Sequence, residues 1–214
     1  AAEARLLSTQ IPGAKVLTGK KATESAMKGV HGPWLLHLAT HGFFLSNEPV
    51  ASVGGRAKPQ NSSMGTENPL LRSGLVFAGA NHLVSGTDDG ILTGLEAASL
   101  DLWGTQLVVL SACETGIGDI ARAAGVQGLR RALIIAGSES QVMSLWQVDD
   151  EGTQVLIQGM YKHLLQGKGR SASLQRVKRA MLRQLEYSHP YFWGAFISSG
   201  RWDPIRSRAT EAAQ

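Results

Sequence analysis

Short apolar runs alternate with longer amphipathic stretches along this chain. Runs of apolar and β-branched residues bounded by Gly, Pro, Ser or Asn predict strands. They fall at 14–19, 33–42, 73–80, 107–112, 140–148 and 194–200. The run LVVLSA at 107–112 is apolar on both faces, which is typical of a central strand that helices cover on each side. The run at 140–148 is interpreted as an edge strand.

Periodic apolar positions between these runs predict helices over 22–30, 125–137, 150–166 and 171–187. Thr23 is a suitable N-cap for the first of them. The predicted apolar face of the last helix holds Leu174, Val177, Met181 and Leu185, and its predicted solvated face holds Arg176, Arg179 and Arg183. Because strands alternate with helices, the pattern predicts an α/β fold with a mostly parallel central sheet and helices on both faces.

Composition places the chain among globular proteins, since 43% of its 214 residues are hydrophobic and 18% are charged. The net charge of +4 is spread without a block of like charges, so we expect a solvated surface and no direct binding of nucleic acid. The start of the chain does not resemble a signal peptide, and no apolar stretch is long enough for a transmembrane helix. One cysteine excludes an internal disulfide and fits a reducing compartment. We therefore expect a cytoplasmic location and no membrane association.

Two segments lack periodicity. Residues 46–69 are rich in Gly, Ser, Asn and Pro and are predicted to form a flexible loop, and residues 205–214 are expected to be a disordered tail. We interpret residues 1–214 as one domain. Because the start is abrupt, we expect this domain to be a fragment of a longer chain.

Two chemically reactive side chains are predicted at strand ends. His41 follows LLHLAT, and Cys113 follows LVVLSA much later in the chain, so only the fold can bring them together. Open α/β sheets hold their ligands beyond the carboxyl ends of the strands. An imidazole there can take the proton of a thiol, and the thiolate can attack a carbonyl carbon. The backbone N–H groups of Gly42 and Cys113 are natural donors to the resulting oxyanion.

The residues alone leave other interpretations open. A lone cysteine at a strand end is commonly a small buried hydrophobe, and a lone histidine there is commonly a turn residue. His37 and His41 have a spacing that binds zinc on a helix, but they lie in a predicted strand without a third ligand, so we expect no metal. His37 is better interpreted as a buried, hydrogen-bonded histidine. Gly116 and Gly118 weakly match a dinucleotide motif, but they lie too far from the strand end, and no cofactor is expected.

The stretch SLWQVDD (144–150) supplies a third candidate element. Ser144 and Trp146 lie in the later part of the predicted strand 140–148, and Asp149 and Asp150 follow it at the same end of the sheet as Cys113. One interpretation is a helix N-terminus, whose positive dipole end aspartates stabilise. The other is an acidic pocket for a basic side chain, with the strand pairing to an extended substrate. The two interpretations are compatible.

Taken together and in order, the motifs of this chain resemble the CHAT-domain family, a branch of the caspase–separase superfamily of cysteine peptidases. The resemblance extends from about residue 12 to residue 200 and is carried by the stretches at 37–42, 70–81, 89–116, 125–153 and 189–200. The combination of the motifs THG, SACETG and SLWQVDD is specific evidence for this resemblance, whereas each motif alone is weak evidence.

The resemblance implies a caspase-like sandwich with His41 as general base, Cys113 as nucleophile, and Gly42 and Cys113 as the oxyanion donors. Asp150 falls where the related separases carry an acidic residue that receives arginine, and Asp149, Trp146 and Ser144 are its expected neighbours in a substrate-binding pocket.

The implied function is a cysteine endopeptidase that cleaves a specific protein partner in bacterial defence or programmed cell death. Control by a tetratricopeptide-repeat or other sensor region of the full-length chain is implied as well. The alternative is a catalytically silent interaction scaffold with the same fold.

Overall fold

Two four-stranded sheets organise the part of the chain that the computed structural model describes, which comprises residues 2–44, 69–82, 88–111, 113–114, 119–146 and 148–206. The strands are β1 Leu35–Leu38, β2 His41–Phe44, β3 Ser73–Val76, β4 Ile91–Thr93, β5 Leu107–Leu110, β6 Cys113–Glu114, β7 Ser140–Ser144 and β8 Phe196–Gly200. The helices are α1 Ala2–Gln10, α2 Glu24–Lys28, α3 Gly94–Ala97, α4 Asp119–Ile135, α5 Asp150–Leu165 and α6 Arg170–Leu182. Short 3-10 turns lie at Gly19–Lys21, Pro69–Leu71, Ala80–His82, Leu185–Tyr187 and Pro190–Phe192.

The central sheet has the strand order β1-β5-β7-β8. Strands β1, β5 and β7 run parallel, and β8 is antiparallel to β7. The second sheet has the order β4-β3-β2-β6, in which only the β2–β6 pair is parallel. The predicted α/β fold with a mostly parallel central sheet is therefore confirmed. Strand β7 is internal to its sheet, so its interpretation as an edge strand is wrong.

Side-chain alternation along β5 builds two cores, one on each face of the central sheet. Leu107 and Val109 pack in a cluster with apolar residues of α1, α5 and α6. Val108 and Leu110 pack in a second cluster with residues of α2, α3 and α4. All four side chains of the strand are buried, as predicted for a strand covered on both sides.

Two of the predicted strands are not observed as single strands, and the other four are shorter than predicted. The run 33–42 divides into β1, which ends at Leu38, and β2, which begins at His41 and belongs to the other sheet. The run 14–19 forms no strand. Its apolar side chains Val16 and Leu17 are 41% and 37% exposed, so no face of the segment is buried that would stabilise pairing.

The last predicted helix is shorter than expected. Leu174, Val177 and Met181 are buried as predicted, but α6 ends at Leu182 and Leu185 is 96% exposed. The chain then enters a 3-10 turn that buries Tyr187 instead, and the ring of Tyr187 packs edge-on against another aromatic ring at a centroid distance of 5.6 Å. The predicted solvated arginines at 176, 179 and 183 are exposed.

Local sequence signals at helix ends agree with the structure. The Thr23 side chain accepts a hydrogen bond of 3.1 Å from the Ala26 N–H and caps α2. The predicted helices at 125–137 and 150–166 correspond to α4 and α5, although α4 begins earlier, at Asp119. Within the described ranges, no helix has the length and apolar character needed to cross a bilayer.

The predicted loop and tail fall mostly outside the described residues, which omit 45–68 and 207–214. At the beginning of the predicted tail, Ile205 packs against the core. Its neighbour Arg206 donates a backbone hydrogen bond of 2.6 Å to Gln106 and a side-chain one of 2.9 Å to Glu139. The prediction of disorder is therefore wrong for these two residues.

Candidate active site

The backbone register aligns the two candidate catalytic residues. Strands β1 and β5 pair in parallel up to Leu38 and Leu110, and the Ser111 N–H then donates a 3.0 Å bond to the Leu38 carbonyl. Beyond a short break, β2 and β6 pair in parallel with His41 opposite Cys113. The sequence offset between paired residues is the same on both sides of the break. Neighbouring strands lie about 4.8 Å apart, so the two backbones are adjacent.

Strand β2 is positioned by its other neighbour, β3. His41 pairs with Val76 in antiparallel register, and the Thr40 hydroxyl donates a hydrogen bond to the Val76 carbonyl. A Cβ placed on Gly74 would come within 2.7 Å of the Phe43 ring, so the two strands can approach closely only with glycine there. His41 begins β2 rather than ending the preceding strand, and its side chain is exposed.

A small cavity of about 50 Å³ lies at the carboxyl ends of β5 and β7. Its lining residues are Glu3, Ser111, Ser144, Trp146, Val148, Asp150, Thr153 and Phe196. Three of the four residues proposed from sequence for substrate binding, Ser144, Trp146 and Asp150, therefore line one cavity. Ser111, which also lines it, precedes Cys113 by two positions. The cavity is thus adjacent along the chain to the candidate nucleophile.

The fourth residue, Asp149, has a local role. Its carboxylate accepts hydrogen bonds of 3.0 and 3.1 Å from the N–H groups of Glu151 and Gly152 and caps α5. Asp149 does not line the cavity. The helix N-terminus interpretation thus describes Asp149, while Asp150 lies against the cavity.

Apolar groups form much of the cavity wall. Val148 and Phe196 are 4% and 1% exposed. The Trp146 indole donates a bond of 3.3 Å to the Tyr191 carbonyl, and a Cβ on Gly194 would lie 3.3 Å from its ring. The hydrogen bond anchors the indole, and glycine at position 194 leaves room for its ring. The cavity therefore combines aromatic and aliphatic walls with hydroxyl and carboxylate groups.

A buried polar network that sequence reasoning did not find lies beside the cavity. The Tyr161 hydroxyl is 2.9 Å from Nδ1 of His37, and Nε2 of His37 is 3.1 Å from the Glu3 carboxylate. The Ser111 hydroxyl lies 3.3 Å from both Glu3 oxygens and 3.4 Å from His37 Nε2. His37 is thus largely shielded from solvent and hydrogen-bonded, as predicted from sequence.

Tyr161 is fully buried, and burial together with the negative charge of Glu3 raises its pKa well above the ordinary value. Its phenol therefore remains protonated and able to donate to His37 Nδ1. An imidazole that accepts at Nδ1 carries its proton at Nε2. The Nε2–H group of His37 then faces the Glu3 carboxylate, so the network connects side chains of α5, β1 and α1.

Comparison with known proteins adds a family context to this geometry. The sequence model of the CHAT domain matches residues 1–201. Tetratricopeptide repeat protein 28 of Mus musculus is 27% identical over 208 residues, and its Homo sapiens counterpart is 28% identical over 208 residues. Each alignment covers 94% of this chain but only 8% of the relative.

Proposed function

Since this chain belongs to the CHAT domain family, a group of caspase-like cysteine peptidase-type domains, we propose that it is a cysteine endopeptidase with a catalytic dyad of His41 and Cys113. The observation that carries the proposal is the register that pairs these two residues on neighbouring parallel strands. Adjacent backbones are what a base and a nucleophile from distant parts of the chain require.

In this mechanism His41 accepts the proton of the Cys113 thiol, and the thiolate attacks the carbonyl carbon of the scissile peptide bond. The N–H groups of Gly42 and Cys113 stabilise the oxyanion of the tetrahedral intermediate. As the intermediate collapses, the C–N bond breaks and His41 returns the proton to the leaving amine. Water, deprotonated by His41, then hydrolyses the thioester and releases the acid and the free thiol.

The cavity is proposed to receive the substrate side chain that precedes the scissile bond. Asp150 supplies negative charge there, and Trp146 and Ser144 supply wall and hydroxyl contacts. This arrangement favours a basic side chain, whose cation a carboxylate binds and whose aliphatic stem packs on apolar walls.

The substrate is proposed to be a specific protein partner in the cytoplasm. Two relatives are named for tetratricopeptide repeats, and this chain spans 8% of their length. These facts support a repeat or other sensor region that controls the domain in its full-length chain. A role in bacterial defence or programmed cell death is proposed from the family resemblance alone.

The test is a peptide-library cleavage profile of the wild type beside Cys113→Ala and His41→Ala. Each substitution should lower kcat/KM by more than about 10³-fold while the melting temperature is retained. His31→Ala is a matched control, because its side chain is 74% exposed and contacts only Asp101 among the ion pairs of the described residues; it should cleave like the wild type.

Activity that survives in Cys113→Ala would refute the dyad. If the wild type cleaves no peptide and a thiol-directed peptidyl probe never labels Cys113, the scaffold alternative replaces the peptidase.

A further inference from the structure

The cavity holds a second carboxylate that its sequence motif does not contain. Glu3 is carried by α1, whereas Asp150 begins α5, and both line the same cavity. We propose that Glu3 is a specificity-determining residue, which together with Asp150 recognises the guanidinium or ammonium group of the substrate side chain. This inference rests on the proposed peptidase function, since it assigns the side-chain preference of that site.

Packing of α1 places Glu3 at the cavity. Leu7, one helical turn further on, is 6% exposed and belongs to the core cluster that α5 and α6 build. The Glu3 side chain is 16% exposed. The contacts with His37 and Ser111 hold its carboxylate at the ends of β1 and β5. Glu3 is therefore presented by a docked helix and oriented by the central sheet.

The charge of the lining favours a cation. Its acidic members are Glu3 and Asp150, and no Lys or Arg is among the residues that line the cavity in the described structure. Because both carboxylates line one space, a cation bound there can contact either of them. His37 Nε2 lies 3.1 Å from the Glu3 carboxylate, and a carboxylate has about four acceptor sites, so Glu3 retains acceptor sites for a bound cation.

The walls and the size suit the same group. The aromatic residues Trp146 and Phe196 lie in the lining, and guanidinium and ammonium groups are attracted to aromatic faces. A volume of about 50 Å³ has room for a few water molecules, or for one small polar group that displaces them. The head of an arginine or lysine side chain thus fits, with its stem in the open mouth.

The experiment compares a cation with its neutral isostere in two assays. Isothermal titration measures binding of acetylated tetrapeptide amides that end in arginine or in citrulline. A second assay measures kcat/KM for longer peptides with the same two residues before the scissile bond. The proteins are the wild type, Glu3→Gln, Glu3→Asp and Asp150→Asn. Glu186→Gln, an exposed acid outside the cavity lining, is the matched control.

Glu3→Gln should weaken binding of the arginine peptide about tenfold and lower the arginine-to-citrulline ratio of kcat/KM by a similar factor. Citrulline values should stay unchanged. Asp150→Asn should reduce the same ratio, because it removes the other carboxylate of the pair. Glu3→Asp keeps the charge and should keep most of the preference, and Glu186→Gln should match the wild type.

A purely structural role of Glu3, as a tether between α1 and His37, predicts something different. Glu3→Gln would then reduce both peptides equally or neither, and that result would overturn the inference while leaving a cleaving wild type as evidence for the peptidase. If the wild type cleaves nothing, the binding assay still decides. Arginine-selective binding that depends on Glu3 would support this assignment, and binding without that dependence would reject it.

Discussion

Tyr161→Phe removes a single hydroxyl group from the interior and keeps the shape of the ring. In the wild type this residue is 0% exposed, and its hydroxyl lies 2.9 Å from His37 Nδ1. The His37 side chain is itself only 11% exposed. The substitution therefore removes a hydrogen bond and leaves its acceptor nitrogen largely shielded from solvent.

The expected cost follows from these two effects. A neutral hydrogen bond contributes about 1 kcal/mol net, and a buried polar group that loses its partner costs about 1–3 kcal/mol. We expect Tyr161→Phe to lower the free energy of unfolding by about 1–3 kcal/mol. The pKa of Tyr161 is raised by burial, so its hydroxyl is protonated in neutral buffer and the comparison concerns one protonation state.

Tyr187→Phe is the matched control. Tyr187 is also buried, at 7% exposure, but its hydroxyl donates a 3.1 Å bond to the exposed carboxylate of Glu151. That carboxylate returns to water when the hydroxyl is removed, so the loss should stay below about 1 kcal/mol. Urea denaturation followed by tryptophan fluorescence measures both variants, with unchanged m-values as the check on two-state behaviour. A loss for Tyr161→Phe no larger than that for Tyr187→Phe would refute the claim that His37 depends on Tyr161.

Three further tests concern the fold. Met181→Ala should cost about 2–5 kcal/mol in urea denaturation, whereas Leu185→Ala should stay within about 0.5 kcal/mol; equal losses would contradict the observed end of α6. Gly74→Ala should lower the free energy of unfolding by about 1–3 kcal/mol, because its Cβ would come within 2.7 Å of a ring on β2; unchanged stability would contradict the close approach of the two strands. Burial raises the pKa of Glu96, but hydrogen bonds, the largest from Lys28, leave the pKa below 4.5. The ionised Glu96 carboxylate therefore stabilises the fold above pH 4.5, and this stabilisation is lost as pH falls through the folded-state pKa. The wild type should be more stable than Glu96→Gln at about pH 6 and lose that advantage near about pH 3. A stability difference that does not change with pH would refute this role of Glu96.

Much of the sheet could be predicted because its signals are local. A short run that is apolar on both faces, such as 107–112, identifies a central strand without knowledge of its neighbours. The rule that parallel strands end at one edge then predicts that His41 and Cys113 approach each other. That reasoning did not require the division of 33–42 into two strands. The sequence offset between paired residues is the same before and after the break that separates β1 from β2. His41 and Cys113 are therefore paired whether the run is treated as one strand or as two.

The polar network beside the cavity could not be predicted, because its members come from separate parts of the chain. Tyr161 follows Met160 in a predicted amphipathic helix, which indicates burial but no partner. Glu3 has a sequence context that predicts neither burial nor contact with a strand. Its neighbours at positions 37 and 111 are set by how α1 packs across the sheet, and a single sequence carries no direct signal of such packing.

The sequence offset between paired residues is the same in the β1–β5 and β2–β6 pairs, and this has a consequence for how the sequence can diverge in evolution. The spacing of His41 and Cys113 is set by main-chain pairing, and main-chain groups are common to all residues except proline, which lacks the N–H. Most side chains around the pair can therefore change over evolutionary time without altering how far apart the two backbones lie. Insertions and deletions are different, because one residue gained within β5 would displace everything beyond it by one pairing step. We expect tolerated length changes to accumulate between the strands and to be rare within them.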